Sequence, residues 1–120
     1  SDPELEERTH RIAEAARRAL TEAGLKLHLE SGFSDTVTVF DIPAETTCDA
    51  ILSRMKKEHN IMLAGSFDDL SGKVIRIGHM GNNANFEDMA ATMYALSETL
   101  TFLGVNLTGN LVGLFLKYYH

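Results

Sequence analysis

The sequence predicts an α/β fold of the α+β kind: a two-layer sandwich in which a small, mainly antiparallel sheet carries helices on one face. Three segments place apolar residues at three- and four-residue spacing with charges between them, which is the pattern of amphipathic helices. Between them lie short runs that alternate or are continuously apolar, the pattern of strands. The resulting order is helix, two strands, helix, two strands, helix, and in 120 residues it leaves room for one sheet of three to four strands in a single domain.

The first helix is read over residues 5–23, where Ile12, Ala16, Ala19, Leu20 and Ala23 form the apolar stripe and Gly24 supplies the stop. LKLHL then alternates, with Leu25, Leu27 and Leu29 on one face and Lys26 and His28 on the other. SGFSD is a turn, and TVTVFDIP is a β-branched strand that ends at Pro43. It sets Val37, Val39 and Asp41 against Thr36, Thr38, Phe40 and Ile42. Thr46 and Asp49 have the spacing of a capping box before a second helix whose stripe is Cys48, Ile51, Leu52 and Met55, closed by His59 and Asn60. IMLAG and KVIRIGH read as strands separated by the turn SFDDLSG. Asn85 with Asp88 caps a third helix carrying Met89, Met93, Leu96, Leu100 and Leu103, stopped by Gly104.

Residues 1–104 account for this domain, and residues 105–120 differ in kind. Leu107, Leu111, Phe115 and Tyr119 fall at fourfold spacing, widened by Leu114 and Tyr118, so a final helix is expected. Its apolar surface is large for so small a domain, and it is expected to pack on a neighbour, either a second copy of the chain or a missing partner domain.

The formal charge of −6 and a pI near 5.2 argue against nucleic-acid and anionic-membrane surfaces, which are bound mainly by clustered Lys and Arg. The basic residues are scattered, adjacent only at Arg17-Arg18 and Lys56-Lys57. Cys48 is the single cysteine, which fits a reducing, cytoplasmic compartment. The opening SDPELEERTH is charged and lacks the apolar segment of a signal peptide, and LVGLFL is too short to cross a bilayer.

Self-contained chemistry is hard to find. His10, His28, His59, His79 and His120 fall in different elements, without the His-x-x-x-His or Cys-x-x-Cys spacing common to metal sites. There is no phosphate loop followed by lysine and no nucleophile with its base, and Cys48 lies on an apolar stripe, as an inert core thiol does. No catalytic, cofactor-binding or metal-ligating residue is therefore assigned. Arg76 is the exception, a guanidinium in the middle of the apolar strand GKVIRIGHMG. Period two sends Ile75 and Ile77 to one face and Val74, Arg76 and Gly78 to the other, so the arginine leaves through the face opposite the helices. That face is either simply solvated or an anion site, since a guanidinium fork matches a carboxylate or phosphate bidentately. Gly78 and Gly81 would then leave room for a ligand beside it. His79 reads as a strand-end residue in preference to a partner of the arginine.

The run IMLAGSFDDLSGKVIRIGHMGNNANFEDMAATMYALSETLTFLGV, preceded by GLKLHL and TVTVFDIP, resembles the C-terminal small domain of class V aminotransferases, the alanine–glyoxylate and serine–pyruvate type. GKVIRIGHMG is its most specific piece. The resemblance covers nearly the whole chain and makes residues 1–104 the small domain of a fold-type I enzyme. It implies that Arg76 binds the α-carboxylate of a small amino-acid or 2-oxo-acid substrate. It also implies pyridoxal 5'-phosphate as cofactor, a large domain that carries the Schiff-base lysine and the phosphate contacts, and a homodimer. Neither Lys73 nor Lys26 stands in the family's lysine context, so the chain alone is expected to be inactive. Two readings outside that enzyme class remain: a stand-alone small-ligand-binding or regulatory module without catalysis, and an interaction domain built on the apolar tail.

Overall fold

A computed structural model describes residues 2–28, 36–79 and 85–120. The expected turn SGFSD, the end of the first strand at Leu29, and Gly81 lie outside the described residues. Six elements follow one another: α1 (Pro3–Glu22), β1 (Val37–Asp41), α2 (Cys48–His59), β2 (Val74–Gly78), α3 (Phe86–Phe102) and α4 (Leu111–Tyr118).

The helix ends have local causes. Asp2 caps α1 by accepting from the Glu4 N–H at 3.0 Å, and Pro3 occupies the first helical position, where its missing N–H costs nothing; the helix thus begins two residues earlier than its apolar stripe suggests. Gly24 ends it at φ 98°, with the Leu25 N–H donating to Leu20 O at 3.0 Å. Gly104 does the same for α3 at φ 91°, with the Val105 N–H on Leu100 O at 2.9 Å. Asn85 caps α3 as expected, accepting from the Asp88 N–H at 2.8 Å. The α2 cap is Thr47, one residue later than Thr46, and it accepts from the Ala50 N–H at 3.2 Å.

β1 and β2 pair antiparallel, with Thr38 opposite Ile77, Val39 opposite Arg76 and Phe40 opposite Ile75. The two outer strands expected from LKLHL and IMLAG are reduced, among the described residues, to single antiparallel bridges, Leu27 with Phe40 and Ala64 with Arg76. The second is short for a visible reason. The Ile61 N–H is spent on Met55 O at the α2 cap, and the chain reaches the sheet only at Ala64.

Leu20 of α1, Met55 of α2, Leu96 of α3 and Phe115 of α4 share one buried core with Phe40, Ile75 and Ile77, so the helices cover one face of the sheet. The tail forms the expected helix, and α4 packs on α1 and α3 of its own chain, with Leu111 and Phe115 fully buried while Leu116 stays exposed. Phe115 stacks on Phe86 at 5.6 Å between ring centres, and Tyr119 lies 4.9 Å from Phe86. The Tyr118 hydroxyl donates to Glu22 at 2.8 Å, and the Leu111 N–H donates to Ser97 Oγ at 2.7 Å. Residues 105–120 thus belong to the same core as the rest.

Candidate functional site

Arg76 lies where period two put it, on the sheet face away from the helices. The register places Val37, Val39 and Asp41 of β1 on that face with Val74, Arg76 and Gly78 of β2. Ala64, Arg76 and Val39 make one row across three segments, and His28, whose N–H donates to Val39 O at 2.8 Å, extends it. The strand is held on both sides of the arginine, since the Arg76 N–H donates to Ala64 O at 2.8 Å.

This face is not a plain solvated one. Val74 is fully buried and Val39 nearly so, and Arg76 is half-buried between them. A side chain built at Gly78 would meet nothing within 4 Å, so the space next to the arginine along its strand is open. A guanidinium half-buried between apolar side chains is suited to a planar anion, because partial desolvation strengthens each charged hydrogen bond.

Other ionisable groups share the face. His28 Nδ1 is 3.3 Å from Asp41 Oδ1, and both line a cleft of about 500 Å³ with Pro43, Thr46, Lys73 and Val74. Asp68, in the turn before β2, is held below the usual carboxylate range. The Ser66 hydroxyl at 2.7 Å is the main cause and the Leu70 N–H at 3.0 Å the next; the positive charge of Arg76 adds a smaller contribution.

His79 is a strand-end residue, as expected, and a fully buried one, with Nε2 2.6 Å from Thr38 Oγ1. Thr38 in turn accepts from Arg17 Nε at 2.9 Å. The available signal was Thr38 itself, a hydroxyl on the apolar face of β1 beside Phe40, where a buried polar group calls for a partner.

The Cys48 thiol, which is partly buried, is pushed up, by burial first and by the Asp49 charge second. Among the described residues no group of three or more His, Cys, Asp or Glu could hold a metal ion. Among the described residues, no helix is long and apolar enough to cross a membrane.

No protein-family model matches the chain. It is 33% identical over 98 residues to the small subunit of a soluble hydrogenase from Synechococcus sp. (strain PCC 6716), covering 82% of this chain and 25% of that protein. It is 35% identical over 74 residues to serine–glyoxylate aminotransferase of Arabidopsis thaliana, covering 60% of this chain and 18% of that one. In structure it superposes on ureidoglycine–glyoxylate aminotransferase of Bacillus subtilis with a TM-score of 0.87 at 25% identity, over 94% of this chain and 30% of that one. The chain is a relative of the class V aminotransferases. It spans about a quarter or less of the length of the curated relatives cited here.

Class V aminotransferases use pyridoxal 5'-phosphate, and the residues of this chain do not fit that group. Lys26, Lys56, Lys57, Lys73 and Lys117 are all exposed, whereas an imine-forming lysine lies in a water-excluded pocket. The sequence has no glycine-rich phosphate loop followed by a lysine. What this chain offers chemically on that face is the guanidinium of Arg76, set in the β1–β2 ladder.

Proposed function

We propose that the chain is the substrate-carboxylate-binding part of a pyridoxal-phosphate-dependent aminotransferase. The enzyme transfers an amino group between a small amino acid of the alanine or serine type and a 2-oxo acid such as glyoxylate or pyruvate. In this reading Arg76 takes the α-carboxylate in its guanidinium fork, and the cofactor is held by a large domain outside this chain. The carboxylate takes no part in bond making. Its capture fixes the Cα–H bond of the substrate in space, and positioning of this kind supplies much of an enzyme's rate gain.

The observation that carries the reading is the setting of Arg76: half-buried, opposite Val39 and bridged to Ala64, with open space at Gly78. The relatives named for glyoxylate aminotransferases support the reaction class. The single, partly buried Cys48 supports a cytoplasmic enzyme; the homodimer rests on the family resemblance alone.

A charge-assisted bidentate contact is worth about 1.5–3 kcal/mol, hence about 10- to 150-fold in kcat/KM. In an aminotransferase that carries this segment, Arg76→Ala is expected to lose at least that much with alanine or serine as donor. Near-normal kcat/KM would exclude Arg76 as the carboxylate ligand.

A second reading, a small-ligand-binding module without catalysis, is favoured by the closed core, because α4 buries its stripe within the chain and the chain holds no imine-forming lysine. Arg76 keeps the same role in it. Glyoxylate binding by the 120-residue chain alone, as tight as in an aminotransferase that carries this segment, would favour the module; binding that appears only with the large domain present would favour the enzyme.

A further inference from the structure

The end of the arginine strand is tied down from the opposite face. His79 follows Gly78 directly and is fully buried. Its backbone N–H donates to Thr36 O at 2.8 Å, and its Nε2 lies 2.6 Å from the Thr38 hydroxyl. Arg17, from the C-terminal half of α1, completes the group: Nε donates to Thr38 Oγ1 at 2.9 Å and Nη2 to Val37 O at 2.8 Å. Three separate segments thus meet through directional bonds at one end of the ladder.

Packing alone does not call for this arrangement. Valine would fill the place of Thr38 with nearly the same volume, so the hydroxyl adds only direction. A buried hydroxyl and a buried imidazole are costly wherever they are not satisfied. A guanidinium is a donor only, so Thr38 Oγ1 must accept from Arg17. The hydroxyl keeps a second lone pair and its own proton for His79.

The need for a tie is also visible. β1 and β2 are five residues each, and among the described residues their flanks carry single bridges, so the ladder is close to an isolated pair, which is marginal by itself. Gly78 adds a permissive backbone two residues past Arg76. A loose strand end would move the guanidinium, and a displacement of about 1 Å at a positioning group costs about a hundredfold in rate.

We propose that His79 is a positioning residue for the anion site: through Thr38 and Arg17 it locks the C-terminal end of β2 to β1 and α1, and so holds Arg76 in one place on the other face. The proposal rests on the reading of Arg76 as the carboxylate ligand.

Two kinds of measurement test it. In the 120-residue chain, Thr38→Val and His79→Leu are compared with Thr38→Ser, which keeps the hydroxyl, by amide hydrogen exchange at residues 76–79 and, as a reference, at Leu20 and Leu96. Loss of the tie is expected to speed exchange at residues 76–79 by about fivefold to tenfold while the reference helices hold, with Thr38→Ser near the wild type. In an aminotransferase carrying the segment, Thr38→Val is expected to raise KM for the amino acid more than it lowers kcat. Unchanged exchange at residues 76–79 in Thr38→Val overturns the tie whatever Arg76 does. Faster exchange combined with a KM that Arg76→Ala itself does not move overturns the carboxylate reading instead, and with it the purpose of the tie. Should His79→Leu fail to fold, Thr38→Val and its serine control still decide.

Discussion

Arg76 stands directly opposite Val39 in the β1–β2 ladder, on the face away from Phe40, Ile75 and Ile77. The pairing makes the guanidinium a neighbour of a nearly buried valine, and with Val74, two residues earlier in the strand, it gives the arginine a partly apolar surround. One strand thereby serves two purposes, since its isoleucines close the core while its arginine faces away from it. A polar group in such a surround gains more from an anion than one in open water.

The C-terminal helix is integral to the domain. Phe115 is fully buried against Phe86 and Tyr119, so Phe115→Ala is expected to cost about 3–5 kcal/mol in urea unfolding. A loss below about 1 kcal/mol would mean that α4 rests on the domain without completing its core.

Glu98 couples α2 to α3. Arg54 donates to both of its oxygens, at 3.1 and 2.8 Å, and His59 Nε2 lies 2.6 Å from Oε1. The Arg54 hydrogen bonds first, and the His59 contact second, hold the Glu98 carboxyl below the usual range, against the opposing effect of burial. Because the folded value is the lower one, the stabilisation is complete above the unfolded value of about 4.3 and is lost as pH falls through the folded value. Between about pH 6 and pH 3 the melting temperature of wild type is therefore expected to fall by a few degrees more than that of Glu98→Gln. Parallel curves for the two proteins would show that the contact contributes nothing to stability.

Cys48 is expected to be a slow thiol. Burial and the Asp49 charge keep it protonated, so labelling by a disulfide reagent at neutral pH should run at least about tenfold slower than for free cysteine and reach the free rate in urea. Rapid labelling of the native chain would contradict its place beside the Val74 carbonyl.

The parts of this fold most legible in the sequence were those governed by local rules. Gly24 and Gly104 end helices because each takes a positive φ, and Ile75 and Ile77 face the core because strand side chains alternate. Less legible was anything decided by tertiary contact. The stripe through Leu111 and Phe115 announces a buried face but not what buries it, and α1 and α3 turned out to be near enough. A short apolar run marked IMLAG as a buried strand, but the α2 cap takes the Ile61 N–H, and among the described residues only Ala64 pairs. At the site, Arg76 could be read from its strand alone. The group behind it could not, because Arg17, Thr38 and His79 are far apart in sequence and only the odd polar side chain on the face of Phe40 pointed to them.

The most direct measurement of the role of Arg76 compares a substrate with its own decarboxylated form. In an aminotransferase carrying this segment, kcat/KM is measured for alanine and for ethylamine in wild type and in Arg76→Ala. The substitution is expected to lower kcat/KM for alanine by about 10- to 150-fold and to leave the amine nearly untouched, so that the preference for the carboxylate collapses. An equal loss on both substrates would show that Arg76 supports the fold and does not hold the carboxylate.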